Sequence, residues 1–522
     1  MSLNHAVLAC TLAVLLAGCS SLPSQVQRTM THAVTRTDDT RLGQVVRRET
    51  ARHPGQSGIH ALAVANEAFA ALVLLAGSAE RSLDLQYYIW HRDTTGQLLW
   101  QAVWQAAERG VRVRVLLDDA NTAGLDPMLA TLDAHPNIEI RLFNPFANRR
   151  FRAGDLVMDF ARVNHRMHNK SFTADNQVSI TGGRNIGDEY FGAHMEVGFQ
   201  DLDVMAIGPV VHEVSSQFDL FWNSESAYPA ANLMPPAAPE GLAQLRAGWD
   251  AVHDDPAAKA YVSATLQIPL VTQMGQGAVP FEWTSARVLY DNPAKALQAS
   301  DGTDLQMLAH LEHALGKPEH EVDLVSPYFV PGTSGTEGLV KLARRGVKVR
   351  VLTNSLSATD VGPVHAGYCR YRKELLQAGI TLYELKRVAA VSSSKGGDRS
   401  SGMPGSGASR AGSASSLHAK TFGADRKRLF VGSFNLDPRS ARLNTEMGVV
   451  IDSASLATVL ARQLDSRLPD EAYLVRLRPD GDLEWVEQSA DGEKIFTTEP
   501  ETGLMRRVWI DFLRVLPIEW ML

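Results

Sequence analysis

The strongest constraint on this chain is that it is written twice: Ala107-Glu-Arg-Gly-Val-Arg-Val-Arg-Val-Leu116 returns as Ala343-Arg-Arg-Gly-Val-Lys-Val-Arg-Val-Leu352. The copies extend to either side. Leu83-Asp-Leu-Gln86 is answered by Val322-Asp-Leu-Val325, and Ile138-Glu-Ile-Arg-Leu-Phe143 by Ile380-Thr-Leu-Tyr-Glu-Leu385. The stretch from Ser82 to Trp90 alternates apolar and mixed positions like a buried strand, and Val111 to Leu117 and Ile138 to Phe143 read as the next two strands. Between the first two lies a helical pattern, Trp100, Val103, Trp104 and Ala107, with Gly110 placed to end it. Strands alternating with helices at this spacing predict βαβ units with right-handed crossovers. The fold class is therefore α/β, as two duplicated lobes, each a mostly parallel sheet flanked by helices on both faces.

Where the repeat lapses, other segments begin. Residues 1–19 form a leader and 20–60 an N-terminal extension. The first lobe spans 61–225 and the second 286–470. Residues 226–285, rich in Ala and Pro, read as the inter-lobe connection. Residues 392–416 are mostly Ser and Gly with a few charges, a composition that cannot pack and predicts a flexible surface loop. In the C-terminal part, 471–522, a hairpin turns at Pro479-Asp480-Gly481. A helix follows, with Val508, Trp509, Phe512, Leu513 and Leu516 on one face and Arg506, Arg507 and Arg514 interspersed. That face docks on the protein body or on a membrane surface.

Chemistry concentrates in a motif that also occurs twice. His168-Asn-Lys170, Asp175 and Gly182-Gly-Arg-Asn185 have the same internal spacing as His418-Ala-Lys420, Asp425 and Gly432-Ser-Phe-Asn435. Alternation along a strand sends the histidine and lysine to one face. The Gly-x-x-Asn element makes a turn where backbone and amide approach a phosphate closely. Cleaving a phosphodiester without a metal requires a nucleophile, a proton donor for the leaving alkoxide, and charge around the phosphoryl oxygens. Two imidazoles fill the first two roles, because imidazole titrates near neutrality. Lys170, Lys420, Asn185 and Asn435 fill the third. Each histidine also has a glutamate 28 residues downstream, Glu196 and Glu446, suited to hydrogen-bond the ring and fix its tautomer.

These residues resemble the phospholipase D superfamily and, within it, the bacterial cardiolipin synthase C-like group. The finer likeness rests on Leu83-Asp-Leu-Gln-Tyr-Tyr-Ile-Trp90, Met167-His-Asn-Lys-Ser-Phe-Thr173, Gly182-Gly-Arg-Asn-Ile-Gly-Asp-Glu-Tyr-Phe191, His365-Ala-Gly-Tyr368 and Leu516-Pro-Ile-Glu-Trp520. The resemblance implies two phospholipase D-type lobes related by a pseudo-twofold axis, with His168 and His418 meeting at their interface. It implies a covalent phosphohistidine, with His168 as nucleophile and His418 as general acid and base. His168, Lys170, Asp175, His418, Lys420 and Asp425 then form the catalytic set, although the two aspartates suit a structural part better. Ser433, which stands where the first copy has Gly183, is expected to add a hydroxyl ligand for the phosphate from one lobe only. The implied reaction makes cardiolipin from phosphatidylglycerol and a second phospholipid, phosphatidylethanolamine among the candidates. Hydrolysis of phospholipid headgroups and, further off, a nuclease on the same scaffold are the alternatives.

Bulk properties narrow the setting. The net charge of −7 gives no general attraction to nucleic acid, and none is expected as a partner. No obligatory protein partner is evident, because both half-sites lie in one chain. No cofactor is expected, and no His/Asp/Glu cluster has metal-ligand spacing. Of the three cysteines, Cys10 and Cys19 fall in the leader, leaving Cys369 with nothing to pair with. The apolar run from Ala6 to Ala17 is shorter than the ~20 residues a spanning helix requires. It ends in Leu16-Ala-Gly-Cys19, which looks like the lipidation signal of bacterial lipoproteins, although Met1 to His5 carry no Lys or Arg. Ser20 after the cysteine implies a lipid-anchored protein of the outer membrane facing the periplasm.

Overall fold

The computed structural model describes residues 21–23, 26–193, 197–297, 307–389, 414–489 and 492–522. Residues 1–20, with Cys10 and Cys19, lie outside the described residues, and so do Glu196 and most of the Ser/Gly tract.

The first lobe is built on Ser57–Leu62 (β1), Ser82–Tyr87 (β2), Arg112–Asp118 (β3), Ile138–Phe143 (β4), Ser171–Ala174 (β5), Val178–Gly182 (β6), Asp203–Ile207 (β8), Ala227–Pro229 (β9) and Glu282–Thr284 (β10); Val197–Gln200 (β7) pairs elsewhere. Their order is β10-β1-β8-β6-β5-β2-β3-β4-β9. The second lobe uses Ala286–Tyr290 (β11), Glu321–Val325 (β12), Lys348–Asn354 (β13), Thr381–Leu385 (β14), Lys420–Ala424 (β17), Arg428–Gly432 (β18), Met447–Ile451 (β19), Ala472–Leu477 (β20), Leu483–Ser489 (β21) and Gly492–Phe496 (β22). Its order is β11-β19-β18-β17-β12-β13-β14-β20-β21-β22. From β1 to β9 the first sheet repeats β11 to β20 of the second, strand for strand. Val388–Ala389 (β15), Ala414–Leu417 (β16) and β7 form a third, three-stranded sheet in which β7 and β16 join the lobes in parallel.

The sheets are mixed rather than mostly parallel. Parallel pairing holds for β2-β3-β4 and β12-β13-β14, and their outer neighbours are antiparallel. The cause is local: β5 and β6 are joined by a tight hairpin, with Asp175 and Asn176 at positive φ, and Asp425 and Arg426 do the same between β17 and β18. Each aspartate accepts the backbone N–H groups that open the neighbouring strand, Glu80, Arg81 and Ser82 for Asp175, and Glu319, His320 and Glu321 for Asp425.

Polar residues inside these buried strands pair with one another. Arg114 of β3 holds Asp84 of β2 through two bonds of 2.7 and 2.9 Å and reaches Asp219 at 2.8 Å. Arg350 repeats this with Asp323 at 2.7 Å and Asp465 at 2.6 Å. The lobes meet along an apolar seam that includes Ile59, Val204 and Val214 from the first and Val288, Val431 and Val449 from the second. Each aliphatic side chain fully buried there contributes about 1.5–3 kcal/mol.

Three segments differ from the sequence reading. Residues 226–285 are not a connection but a layer of the first lobe: the helices Gly241–Asp254, Pro256–Leu266 and Pro269–Gln276 bring Trp249 and Leu270 into its core, and β10 closes the sheet on β1. Part of the 20–60 extension also belongs to this lobe, since the helix Arg41–Thr50 buries Val46 in the same core and β1 begins at Ser57. The 471–522 hairpin turns as expected, with Gly481 at φ 82°, but β20 pairs with β14 and so continues the second sheet. At the end of the Ser/Gly tract, residues 414–416 are strand because β7 supplies their hydrogen bonds.

Candidate active site

Both His-x-Lys elements sit where β5 and β17 begin, beyond the carboxyl ends of the parallel strands, the usual position of sites in α/β sheets. His168, Lys170, His418 and Lys420 are all buried. Neighbouring chain holds each histidine from the opposite lobe. The His168 N–H donates to Thr445 O at 2.8 Å, and the His418 N–H donates to Gln200 O at 2.8 Å.

The residue after each of those carbonyls orients the ring. His168 Nδ1 lies 2.8 Å from Glu446 Oε2 and 3.1 Å from Ser433 O. Both are acceptors, so Nδ1 carries the proton and Nε2 keeps its lone pair. His418 Nδ1 donates to Asp201 Oδ2 at 2.5 Å. Each imidazole therefore takes its carboxylate from the other lobe. Glu446 does not serve His418, the histidine of its own repeat, and the carboxylate on His168 is Glu446 and not Glu196, which lies outside the described residues. In the sheets, Gly182 pairs with Asp203 while Gly432 pairs with Gly448, so the two copies differ by five residues after the motif. Aligned on those strands, the counterpart of Glu446 is Asp201.

Ser433 also differs from expectation. Its hydroxyl donates to Glu446 and accepts the Met447 N–H at 3.1 Å, so it braces the carboxylate instead of opening toward a ligand. Ser440 Oγ donates to the other Glu446 oxygen at 2.9 Å. In the first lobe a Cβ at position 183 would lie 2.2 Å from Asp201 Oδ1, so only glycine fits there. Arg184 fixes that stretch by donating to the carbonyls of Leu62 and Asp201 at 2.8 and 2.6 Å. Asp175 and Asp425, grouped by motif with the catalytic residues, are the hairpin clamps described above and do not join the imidazoles.

The two asparagines lie beside the histidines. Asn185 Nδ2 donates to the Tyr190 hydroxyl at 3.0 Å, and Asn435 is buried with its Oδ1 unpartnered by protein. Sequence reasoning missed an aromatic pair. Tyr88 stands edge-on to His168 at 5.0 Å between ring centroids, and Tyr190 to His418 at 5.2 Å. It also missed Asp118 and Asn354, at the ends of β3 and β13, which accept the N–H groups of Met167 and Leu417 just ahead of each histidine, at 2.7 and 3.0 Å. Their matched positions in the repeat were the available signal.

Burial governs the charges. It pushes His168 down to about 4 against the pull of Glu446, with Lys170 and Lys420 adding to the depression. His418 falls to about 3 through burial and then Lys420, opposed by Asp201. Both rings are thus neutral at physiological pH. Burial also lowers Lys170 to about 7 and Lys420 to about 8. An anion entering between these four groups restores the charge that burial penalises.

Among the described residues, one group of metal-type ligand atoms lies within 4.8 Å, from His365, Cys369 and Glu499. The Arg372 guanidinium is 2.6 Å from both His365 Nε2 and Glu499 Oε1. This is an ion-pair knot tying the C-terminal tail to the helix Gly362–Cys369.

A family model for the PLD-like domain of cardiolipin synthase matches residues 72–222 and 311–468. Cardiolipin synthase C of Escherichia coli (strain K12) is 45% identical over 486 residues, covering 92% of this chain and 100% of that one. An uncharacterized protein of Helicobacter pylori (strain ATCC 700392 / 26695) is 30% identical, with 92% of each chain covered. Among solved structures, phosphatidylserine synthase of Haemophilus influenzae Rd KW20 shares the fold, with a TM-score of 0.55 at 14% identity over 92% of this chain and 100% of that one.

Proposed function

The chain belongs to the phospholipase D-like cardiolipin synthase family, and from that premise we propose that it is a phosphatidyltransferase making cardiolipin from phosphatidylglycerol and a second phospholipid. The observation that carries this is the pair of imidazoles, each held by a carboxylate of the opposite lobe, in a chain 45% identical to a cardiolipin synthase. His168 Nε2 attacks the phosphorus of the donor lipid, and the P–O bond to its headgroup breaks. The diester anion raises the proton affinity of His418, and the proton on its Nε2 passes to the leaving alkoxide. His418, neutral again, then takes the proton from a glycerol hydroxyl of phosphatidylglycerol. That oxygen attacks phosphorus, the P–N bond to His168 breaks, and cardiolipin leaves. Lys170, Lys420, Asn185 and Asn435 surround the phosphoryl oxygens throughout.

Purified enzyme with labelled phosphatidylglycerol, with and without phosphatidylethanolamine, tests the reading. Cardiolipin with free glycerol or ethanolamine is expected, and chelator leaves the rate unchanged. Phosphatidic acid as the main product would make the enzyme a hydrolase, and DNA cleavage without lipid turnover would overturn both.

The lowered lysines give a pH prediction. Each is a cation below its depressed pKa and loses its charge as pH rises through it, so kcat/KM falls on the alkaline side with apparent values between 7 and 8. An acid limb appears near 4, where the nucleophile His168 protonates and loses its lone pair. A profile flat to pH 9.5 would refute the lysine assignment.

We also propose lipidation at Cys19, placing the enzyme on the outer membrane facing the periplasm. No described helix is long and apolar enough to cross a membrane. Cells fed labelled fatty acid should label the protein, and Cys19→Ser should abolish the label; label surviving that change would exclude the anchor.

A further inference from the structure

The C-terminal helix Leu504–Val515 carries two apolar faces where a packed surface helix has one. Ile510 and Leu513 face the second lobe and are 4% and 7% exposed. Leu504, Met505, Val508, Trp509, Phe512 and Val515 are between 50% and 79% exposed. At about 100° per residue these six span an arc of roughly 140° that nothing among the described residues covers. The first lobe presents a second outward set, with Phe151, Leu156, Val157 and Met158 between 47% and 81% exposed.

The segments that follow the two sets touch where the lobes meet. The Phe160 ring stands edge-on to the Trp520 ring at 6.3 Å. Arg439 clamps them: its guanidinium donates to Asn164 Oδ1 at 2.6 Å and to Met521 O at 3.1 Å. Asn164 lies four residues before His168, and Arg439 four residues after Asn435. The Phe160–Trp520 contact thus joins segments that lead, in each lobe, into the phosphate-motif residues. Arg150, Arg506 and Arg514 are exposed near the outward apolar residues, Arg506 also donating to Thr359 O at 3.2 Å and Arg514 lying 3.7 Å from the exposed Asp511 carboxylate, in a chain whose net charge is −7.

We propose that this face docks on a bilayer containing anionic phospholipid, with the Leu504–Val515 helix lying in the interface and Trp520 and Phe160 at the rim of the site. The proposal rests on the lipid-transfer reading above, which requires the substrate phosphate to pass from a membrane into the site. Outward aromatic and aliphatic residues with an arginine margin are the composition of an interfacial helix, and such a contiguous apolar surface exceeds the scattered apolar residues of an ordinary exterior. A second copy of the chain on the same face would cover the rim of the site, so lipid is the occupant the arrangement favours.

The test uses the full-length enzyme in a Cys369→Ser background, with an environment-sensitive fluorophore on Met505→Cys, Val157→Cys or, as a control, Val459→Cys. On vesicles of phosphatidylglycerol and phosphatidylethanolamine, the labels at 505 and 157 shift to the blue and are quenched by acyl-brominated lipid, and the label at 459 does neither. Labels at 505 and 157 that stay water-like on vesicle-bound enzyme would overturn the proposal. So would a shift without vesicles that grows with protein concentration, which assigns the face to self-association. These readings need no turnover, so they stand apart from failure of the synthase reading. In activity, Trp509→Ser with Phe512→Ser slows turnover on vesicles at least tenfold and leaves turnover of detergent-dispersed substrate unchanged. Equal slowing on both would also overturn it.

Discussion

Asp201→Asn lowers kcat by about 10³–10⁴-fold with little change in thermal stability, because an amide of the same shape no longer selects the His418 tautomer or stabilises the imidazolium that forms in each step. The isosteric change matters here. Asp201 packs against Gly183 with no room for even a methyl group, so Asp201→Ala would add a cavity to the electrostatic loss. Glu196→Gln, the change suggested by the equal sequence offsets, is expected to leave kcat within about twofold. Measuring both variants on labelled phosphatidylglycerol, with melting curves alongside, separates the assignments. A loss under tenfold for Asp201→Asn would remove it from the site.

The two histidines give the second large effect. His168→Ala and His418→Ala each reduce cardiolipin formation by more than about 10⁴-fold, the scale on which members of a catalytic unit fail. They fail at different steps. Without His418 the nucleophile remains, and a donor with a good leaving group, which needs no proton, forms a phosphatidyl adduct that does not turn over. Without His168 no adduct forms. Intact-protein mass spectrometry reads the difference, and an adduct confined to His168→Ala would reverse the roles.

The duplication was legible because one strand and the turn before it repeat almost letter for letter, and the eight-strand order shared by the two sheets follows from it. The helix pattern from Trp100 to Ala107 was legible for the same reason: its four apolar residues are all buried. The paired His-x-Lys elements that the structure buries side by side were legible because both copies keep the same internal spacing. Asp201 was not, because counting along the chain fails across five extra residues, whereas hydrogen-bond register absorbs them. Nor was the exchange of carboxylates between lobes, a property of the interface that no local pattern encodes. Ser433 misled because a hydroxyl in a phosphate motif suggests a ligand, and only the structure places Glu446 within its reach. The helices of 226–285 were missed because Ala-rich helices signal weakly, and Trp249 and Leu270 contribute to a core whose other members lie far off in sequence.

The exchanged carboxylates have a consequence for the life of the chain before it is complete. Translation finishes the first lobe while Glu446, the partner His168 requires, is still unmade, and His418 arrives after its own partner, Asp201. A half-synthesised or half-unfolded molecule thus carries an untethered imidazole and no working pair. Such a molecule has no assembled pair with which to cut phospholipids. Docking of the lobes serves as the safety catch, released only when both ends of the job are in place.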